Sequence, residues 1–417
     1  MNASSSMSNH ALQQKLATLQ KRAFIAGVPL MAALLVSGYV LKNPAFYQAY
    51  LIGFFLALGA TLGGLGITCI IHLAGGEWSF NIRRITEAAS RNVVPMAILG
   101  LPVVFAGGHL YPWAIPEVVS QHHILAEKVQ VWFGPTLWGF KARYVFFFAI
   151  WFLISNRLSA FSRRQDETGD IVWRTKMRAI SGPALLTYVL TMSFAAFDWS
   201  MSLEPLWPSS IYGVMYIIGQ GITMWSFSIL FSTTVLSRFE PLNATLTQDR
   251  LHSLGKFLFA FIVLWAYVQL SQLIIIWSAD LPEENGWYLN RFVMPYGVVS
   301  VLMVCMQFFL PFFILLSRHT KRIKPVVACI AVYLLCMRCV DLWWIISPSI
   351  HEPVTKIYAG LTTASTAPKF HLLDLVAVAG FASLWFGLFL NQFRKLPVLP
   401  TRDPVFTEQF QHEAHGS

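Results

Sequence analysis

Ten apolar stretches follow one another between residues 24 and 393, each parted from the next by a short polar or basic segment. A helix that crosses a bilayer needs about 20 mostly apolar residues at 1.5 Å rise each. The pattern predicts spans at 24–41, 48–74, 92–108, 143–158, 181–203, 210–236, 252–278, 292–317, 325–347 and 371–393, the fourth being short. The expected fold is all-α and integral to the membrane, with a tail at 1–23, a ten-helix domain at 24–393 and a second tail at 394–417.

Composition agrees with that reading. A mean hydropathy of +0.56, with 56% hydrophobic and 12% charged residues, leaves too little polar surface for water to be the only solvent. Charge then orients the chain, because cytoplasmic loops retain Lys and Arg. Both tails and every second loop hold 22 of the 30 basic residues, in groups such as Arg83, Arg84, Arg91 and Arg318, Lys321, Arg322, Lys324. The opposite side holds seven (Lys42, Lys128, Lys141, Arg143, Arg291, Lys356, Lys369), and Arg338 lies within the ninth span. Both termini are therefore expected in the cytoplasm, in a multi-pass protein. The net charge of +10 follows from this bias and suits anionic lipid headgroups. A basic face with stacking aromatics on a soluble module is lacking, so no nucleic-acid partner is expected. The polar segment Met1–Leu19 has no small-residue cleavage site after a short apolar core, so the first span is expected to stay.

Five cysteines (Cys69, Cys305, Cys329, Cys336, Cys339) fall inside predicted spans, where they act as small apolar residues. Cys336 and Cys339 have half-site spacing but no second pair to complete four ligands, so no metal is expected. Covalent haem is not encoded, and His72, His252 and His371 offer no axial pair at matching depth. No phosphate-binding loop, dinucleotide fingerprint or nucleophile elbow is present.

Chemistry must then lie with ionisable groups inside the spans, where a charge at mid-bilayer costs roughly 2.5–3.5 kcal/mol on insertion scales. Arg338 and Asp341 sit in the ninth span, Asp198 near the end of the fifth, and His371 and Asp374 at the start of the tenth. The i, i+3 spacing of 338/341 and 371/374 puts each pair on one helix face, expected to turn inward. By depth, Asp198, Glu204, Asp341 and Asp374 all belong to the outer half, beside the outer acidic loop of Asp280, Glu283 and Glu284. One reading is a half-channel in which these carboxylates and His371 relay protons. The other is structural, with Arg338 and Asp341 as an ion pair and the remaining acids as hydrogen-bond acceptors where helices meet.

On the inner side the glycines of Gly75-Gly76 permit a tight helix exit, and Arg83 and Arg84 are expected to anchor to headgroups. Nine of the fifteen tryptophans (Trp113, Trp132, Trp138, Trp199, Trp207, Trp277, Trp287, Trp343, Trp344) fall near the outer interface, as an aromatic belt would. The outer loop Gly108–Ala142 is long for a connector and is expected to pack against partner proteins.

Several stretches carry a resemblance. They are Gly-Gly-Glu-Trp-Ser-Phe-Asn-Ile-Arg-Arg-Ile-Thr-Glu-Ala (75–88), Leu-Tyr-Pro-Trp (110–113), Asp-Trp-Ser-Met-Ser-Leu-Glu-Pro (198–205), Ile-Tyr-Gly (211–213), Leu-Gly-Lys (254–256), Leu-Trp-Ala-Tyr (264–267), Ser-Gln (271–272) and Ile-Trp-Ser-Ala-Asp-Leu-Pro-Glu-Glu-Asn-Gly-Trp-Tyr (276–288). Together they resemble the NrfD-like family of ten-helix membrane proteins, in its ActF branch from bacterial alternative complex III. That resemblance implies two four-helix bundles, helices 2–5 and 6–9, with two flanking helices. It implies a subunit of a quinol:cytochrome c oxidoreductase beside multihaem and monohaem cytochrome c subunits, an iron-sulfur subunit and a sister ten-helix quinol-binding subunit, all set in lipid. The chain would then be a scaffold and proton path, non-catalytic or quinone-associated, with no covalently bound cofactor. The family motif carries over to Asp198, Glu204, Lys256, Glu283 and Glu284. Ala279-Asp280 departs from the Gly-Asn of the family and adds a carboxylate. Lys256 and His72 are expected at the cytoplasmic entrance, and Asp341, Asp374 and Asp198 in the outer half. Two rivals are a secondary transporter, for which Pro95 and Pro102 offer breaks in the third span, and a structural membrane anchor.

Overall fold

The computed structural model describes residues 3–133, 138–240, 242–292, 294, 296–350, 370–399, 402 and 403, with backbone alone for 3–9, 133 and 283. Among them all regular structure is helical. That is the expected outcome for apolar segments in lipid, where each backbone N–H and C=O must be satisfied within its own helix.

The chain opens with α1 (Ala3–Tyr39) and α2 (Phe46–Ala74), then passes through short pieces α3 (Arg83–Ser90), α4 (Val93–Leu99), α5 (Leu101–Val104), α6 (Pro116–Gln121) and α7 (His123–Lys128). Long helices α8 (Trp138–Thr168), α9 (Ile171–Trp199) and α10 (Tyr212–Thr234) follow, then α11 (Leu242–Thr245), α12 (Gln248–Ala279) and α13 (Pro282–Phe292). A π segment (Val304–Phe309) joins α14 (Tyr296–Met303) to α15 (Leu310–Leu316), and α16 (Lys324–Ile346) and α17 (Leu372–Phe393) complete the order.

Nine helical segments among the described residues are long and apolar enough to cross a membrane, and each coincides with a predicted span. The tenth expectation, 92–108, differs. Its residues are α-helical only in the short pieces α4 and α5, broken at Gly100 and parted from α3 at Arg91-Asn92. Pro95 and Pro102 are one cause, since neither has the N–H that would continue the ladder from the carbonyls of Arg91 and Ile98. The fourth span extends well beyond 143–158, to Trp138–Thr168. The segment ahead of residue 24 continues α1, with Leu12 and Leu16 buried.

Helices α2 and α10 form the centre of the molecule and pack against each other. Small residues on α2 allow this: a Cβ on Gly63 would lie 2.3 Å from the carbonyl oxygen of Gln220. On one side α2 meets α3, α4, α9 and, through α9, α8; on the other α10 meets α12 and α16; α1 lies along α17. The predicted tight exit after α2 is present, with Gly75 and Gly76 at φ +65° and +98°.

Tryptophan placement departs from the belt. Trp113, Trp199, Trp207, Trp287 and Trp344 are buried inside the protein, whereas Trp138 and Trp277 are exposed. Trp207 and Trp287 stack with centroids 4.8 Å apart, and Trp151 meets Trp199 edge-on, so these indoles build the outer core.

Candidate functional site

The buried polar groups gather at the two ends of the α2–α9–α10 core. These are the inner end, near Glu87, and the outer end, near Glu204, named for the orientation that the charge bias leads one to expect.

At the outer end, Asp198 closes α9 fully buried, and Arg143 of α8 grips it with two bonds, Nε to Oδ2 at 2.7 Å and Nη2 to Oδ1 at 2.8 Å. The Trp132 indole donates to the same carboxylate at 2.8 Å. Bidentate pairing of this kind is the strongest way to neutralise a buried acid. Glu204 accepts from Ser349 Oγ at 2.5 Å and faces Arg291 Nη1 at 3.6 Å. Arg291, fully buried, stacks on Trp287 with 3.5 Å from guanidinium to centroid and donates to the carbonyls of Trp287 and Ile345. Arg338 and Asp341, both buried in α16, form the expected i, i+3 ion pair. Asp374 Oδ2 accepts from Gln48 Nε2 at 3.1 Å and from the His371 backbone N–H at 3.0 Å, the latter a capping contact at the start of α17.

One short turn joins two of these groups. Ser347 reaches Gln48 at 3.4 Å, while Ser349 donates to Glu204 and accepts from Arg291 at 2.7 Å. Glu204, Arg291, Gln48 and Asp374 therefore converge on the turn that ends α16. Asp198 stands apart in its own clamp with Arg143. His371 is half-buried and enters through its backbone.

The expected outer acidic loop takes another form. Asp280 is exposed, ends α12 in the left-handed region at φ +48°, and is held by Asn285 at 2.7 Å. Glu284 lies in α13 and anchors Trp207 through its backbone carbonyl at 3.0 Å. The side chain of Glu283 lies outside the described residues, as do Lys356 and Lys369. Asp280 is thus a helix-terminus residue, separate from the buried acids.

The inner end corrects a second expectation. Arg83 and Arg84 do not reach for headgroups; both are buried. Arg83 contacts Glu87 at 2.9 Å, Asp403 at 2.7 Å and Gln165 at 2.7 Å. Arg84 contacts Glu87 and Ser162, at 2.8 and 2.7 Å, and pairs with Asp166. Arg174 adds a second bond to Asp403 at 3.1 Å. Burial alone would raise the pKa of Glu87, but Arg84 and Arg83 beside it hold it well below the usual carboxylate range. His72 is half-buried at the edge of this cluster, in the field of Arg83 and Glu87, and its Nε2 has no hydrogen-bond partner among the described residues. Lys256 is exposed on α12 and does not join. His252 and Lys321 lie in its field, and the favourable hydration of an ammonium suits it to the surface.

Glu87 is the residue that sequence reasoning passed over. Its signal was present, since Arg83 and Arg84 precede it by four and three residues, the spacing of a helical ion pair. Gln165, Asp166 and Asp403 come from distant segments and left no local signal.

Further buried polar groups are Tyr212, Ser200 and Tyr216, in mutual contact at the outer end, and, deeper in the core, Tyr188 bonded to Gln220 at 2.6 Å. No protein-family model matches the chain, and no curated protein matches it.

Proposed function

We propose that this chain is a multi-pass subunit of a quinol-oxidising respiratory complex of the alternative complex III kind, in which it serves as scaffold and proton path. The observation that carries the reading is a polar interior with buried charge clusters at both ends of one helical core. Electrons would leave through cofactors of partner subunits, with cytochromes c, an iron-sulfur subunit and a quinol-binding sister as the expected neighbours. The interrupted stretch 92–108 would complete a tenth crossing, so that it forms one four-helix group with α2, α8 and α9, while α10, α12, α14–α15 and α16 form the other. Both termini would lie in the cytoplasm.

In this scheme His72 receives protons from the inner side, with the Arg83–Arg84–Glu87 cluster, whose carboxylate stays ionised, setting the field around it. Glu204, Asp341 and Asp374 hold them on the outer side, with Arg291, Arg338 and Gln48 setting the field around each. Asp198, clamped by Arg143, is a structural acid.

Purifying the tagged chain from its native membrane tests the first half of the reading. Co-elution with c-type haem absorbance and quinol-dependent cytochrome reduction is expected; a stable solitary protein that drives solute uptake into vesicles would make it a transporter instead. The second half is tested by Asp341→Asn and Glu204→Gln in the assembled complex. Loss of proton translocation with electron transfer preserved is expected, and unchanged proton-to-electron stoichiometry in both would leave a scaffold. A structural anchor is the second reading, and one fact favours it: Asp198, Glu204, Asp341 and Asp374 each have a polar partner. Paired buried acids are often only structural.

A further inference from the structure

Ser200, which ends α9, lies between two tyrosines of α10. Its Oγ is 2.7 Å from Tyr212 Oη and 2.6 Å from Tyr216 Oη, and either oxygen of each pair can donate. Tyr212 and Tyr216 are four residues apart and therefore share a helix face. All three side chains are buried, Tyr216 completely. Three hydroxyls in sequence, each able to donate or accept, can carry a proton in either direction by passing their own protons along and then rotating.

Both ends of this chain meet charge. Tyr212 lies in the field of Arg291 and Glu204. Tyr216 lies in the field of Arg338, whose guanidinium is pressed against Gly219 so closely that a Cβ there would fall 2.2 Å from its Cζ. Gly219 is three residues beyond Tyr216 and shares its helix face. Asp341, bound to Arg338, has one oxygen, Oδ1, that is buried and accepts no hydrogen bond among the described residues; the Trp265 indole lies near it without closing one. A buried acceptor left unpaired carries the full desolvation cost of that oxygen, so a site that retains one needs a reason.

We propose that Tyr212, Ser200 and Tyr216 form the segment that passes protons between the Glu204–Arg291 group and the Arg338–Asp341 pair, an inference that rests on the proton-path reading above. In the inward direction a proton from the carboxyl of Glu204 reaches the oxygen of Tyr212, directly or through one water. Tyr212 gives its own proton to Ser200, Ser200 gives its own to Tyr216, and Tyr216 releases its own to Asp341 Oδ1, again directly or through one water. Each hydroxyl breaks one O–H bond and forms one, Glu204 is left as a carboxylate, Asp341 becomes protonated, and no electron moves. Outward transfer is the reverse. Ser200 is the hub, since its hydroxyl lies within hydrogen-bond distance of both phenols.

The test uses sealed vesicles holding the full-length chain with the subunits that co-purify with it, a potassium diffusion potential set by valinomycin, and an internal pH dye. Ser200→Ala is expected to lower proton conductance by roughly a hundredfold, the low end for loss of a positioned proton donor. Tyr212→Phe and Tyr216→Phe, which keep the rings, are expected to do the same, and Ser200→Thr to restore conductance. Thermal unfolding of each variant is followed in parallel. A merely structural hydroxyl chain would shift the melting temperature and leave conductance and its solvent deuterium effect unchanged in all three variants, which overturns the inference. If Asp341→Asn abolishes conductance while Ser200→Ala and both Tyr→Phe variants leave it intact, the proton path stands and the hydroxyl segment falls. If the unsubstituted protein conducts no protons, the reading beneath it falls as well.

Discussion

At the scale of single residues, the stability of this protein rests on a few buried charges whose partners must all be present. Glu87 neutralises two buried arginines at once, through contacts of 2.9 and 2.8 Å. Removing one member of a buried pair costs about 3–5 kcal/mol because the remaining charge stays buried and uncompensated. Glu87→Ala is therefore expected to abolish folding or lower the melting temperature in detergent strongly, with Glu87→Gln intermediate because it keeps a hydrogen-bond acceptor. The pH dependence has a definite sign. The folded pKa of Glu87 is depressed from the ordinary 4.5, so its contribution is fully present above that value and is lost only as pH falls through the lower folded value. Melting temperature measured from pH 7 to pH 4.5 should show no loss attributable to Glu87, and Glu87→Gln should leave that part of the profile parallel to the parent. A steeper fall of the parent than of the variant over that range would contradict the depressed value.

At the scale of helices, close approach is set by missing side chains. Gly63 lets α2 lie against the backbone of α10 at Gln220. Gly63→Ala must push the two central helices apart or bend them, and overpacking of this kind costs about 1–3 kcal/mol. Gly66→Ala meets only the Tyr188 ring, at 3.0 Å, and is expected to cost less. Detergent melting curves of the two variants check that order. The interrupted stretch makes a second case. Asn92 is fully buried with both amide atoms unpartnered among the described residues. Asn92→Leu is expected to be neutral or stabilising if the amide has no polar task, whereas a drop in melting temperature would show that the amide holds a buried water or a neighbouring backbone group. The sequence marked this stretch as apolar and named Pro95 and Pro102 within it. It did not show that Arg91-Asn92 and Gly100 divide it, because hydropathy averages over the window that a single polar residue interrupts.

At the scale of the whole molecule, the charge bias makes a topological prediction. Single cysteines placed at Asp280 and at Lys395, in a background lacking the five native cysteines, should react with an impermeant maleimide from opposite sides of sealed cells. Labelling of both from one side would reverse or break the proposed orientation. The buried polar groups follow from the same arrangement: helices that face protein on every side, α2 above all, can hold Gln48, Thr61, Thr68 and Cys69 away from lipid. Helices at the margin, such as α12 and α14–α15, present Tyr267, Leu270, Val301 and Phe313 outward instead.

The sequence by itself determined that the protein is helical with segments long and apolar enough to cross a membrane, where nine of them lie, that its basic residues concentrate in alternate loops, and that Arg338 and Asp341 share one helix face. Each of these is local: hydrophobicity over about twenty residues, charge in a loop, or spacing within one helix turn. Tertiary structure alone decided which buried charges meet. Asp198 found Arg143, Glu204 found Arg291 and Ser349, Arg83 found Asp403, and three hydroxyls from two helices met at Ser200. Such pairings join residues far apart in the chain, and they are selected because an unpaired charge in a low-dielectric interior costs more than any local preference can offset.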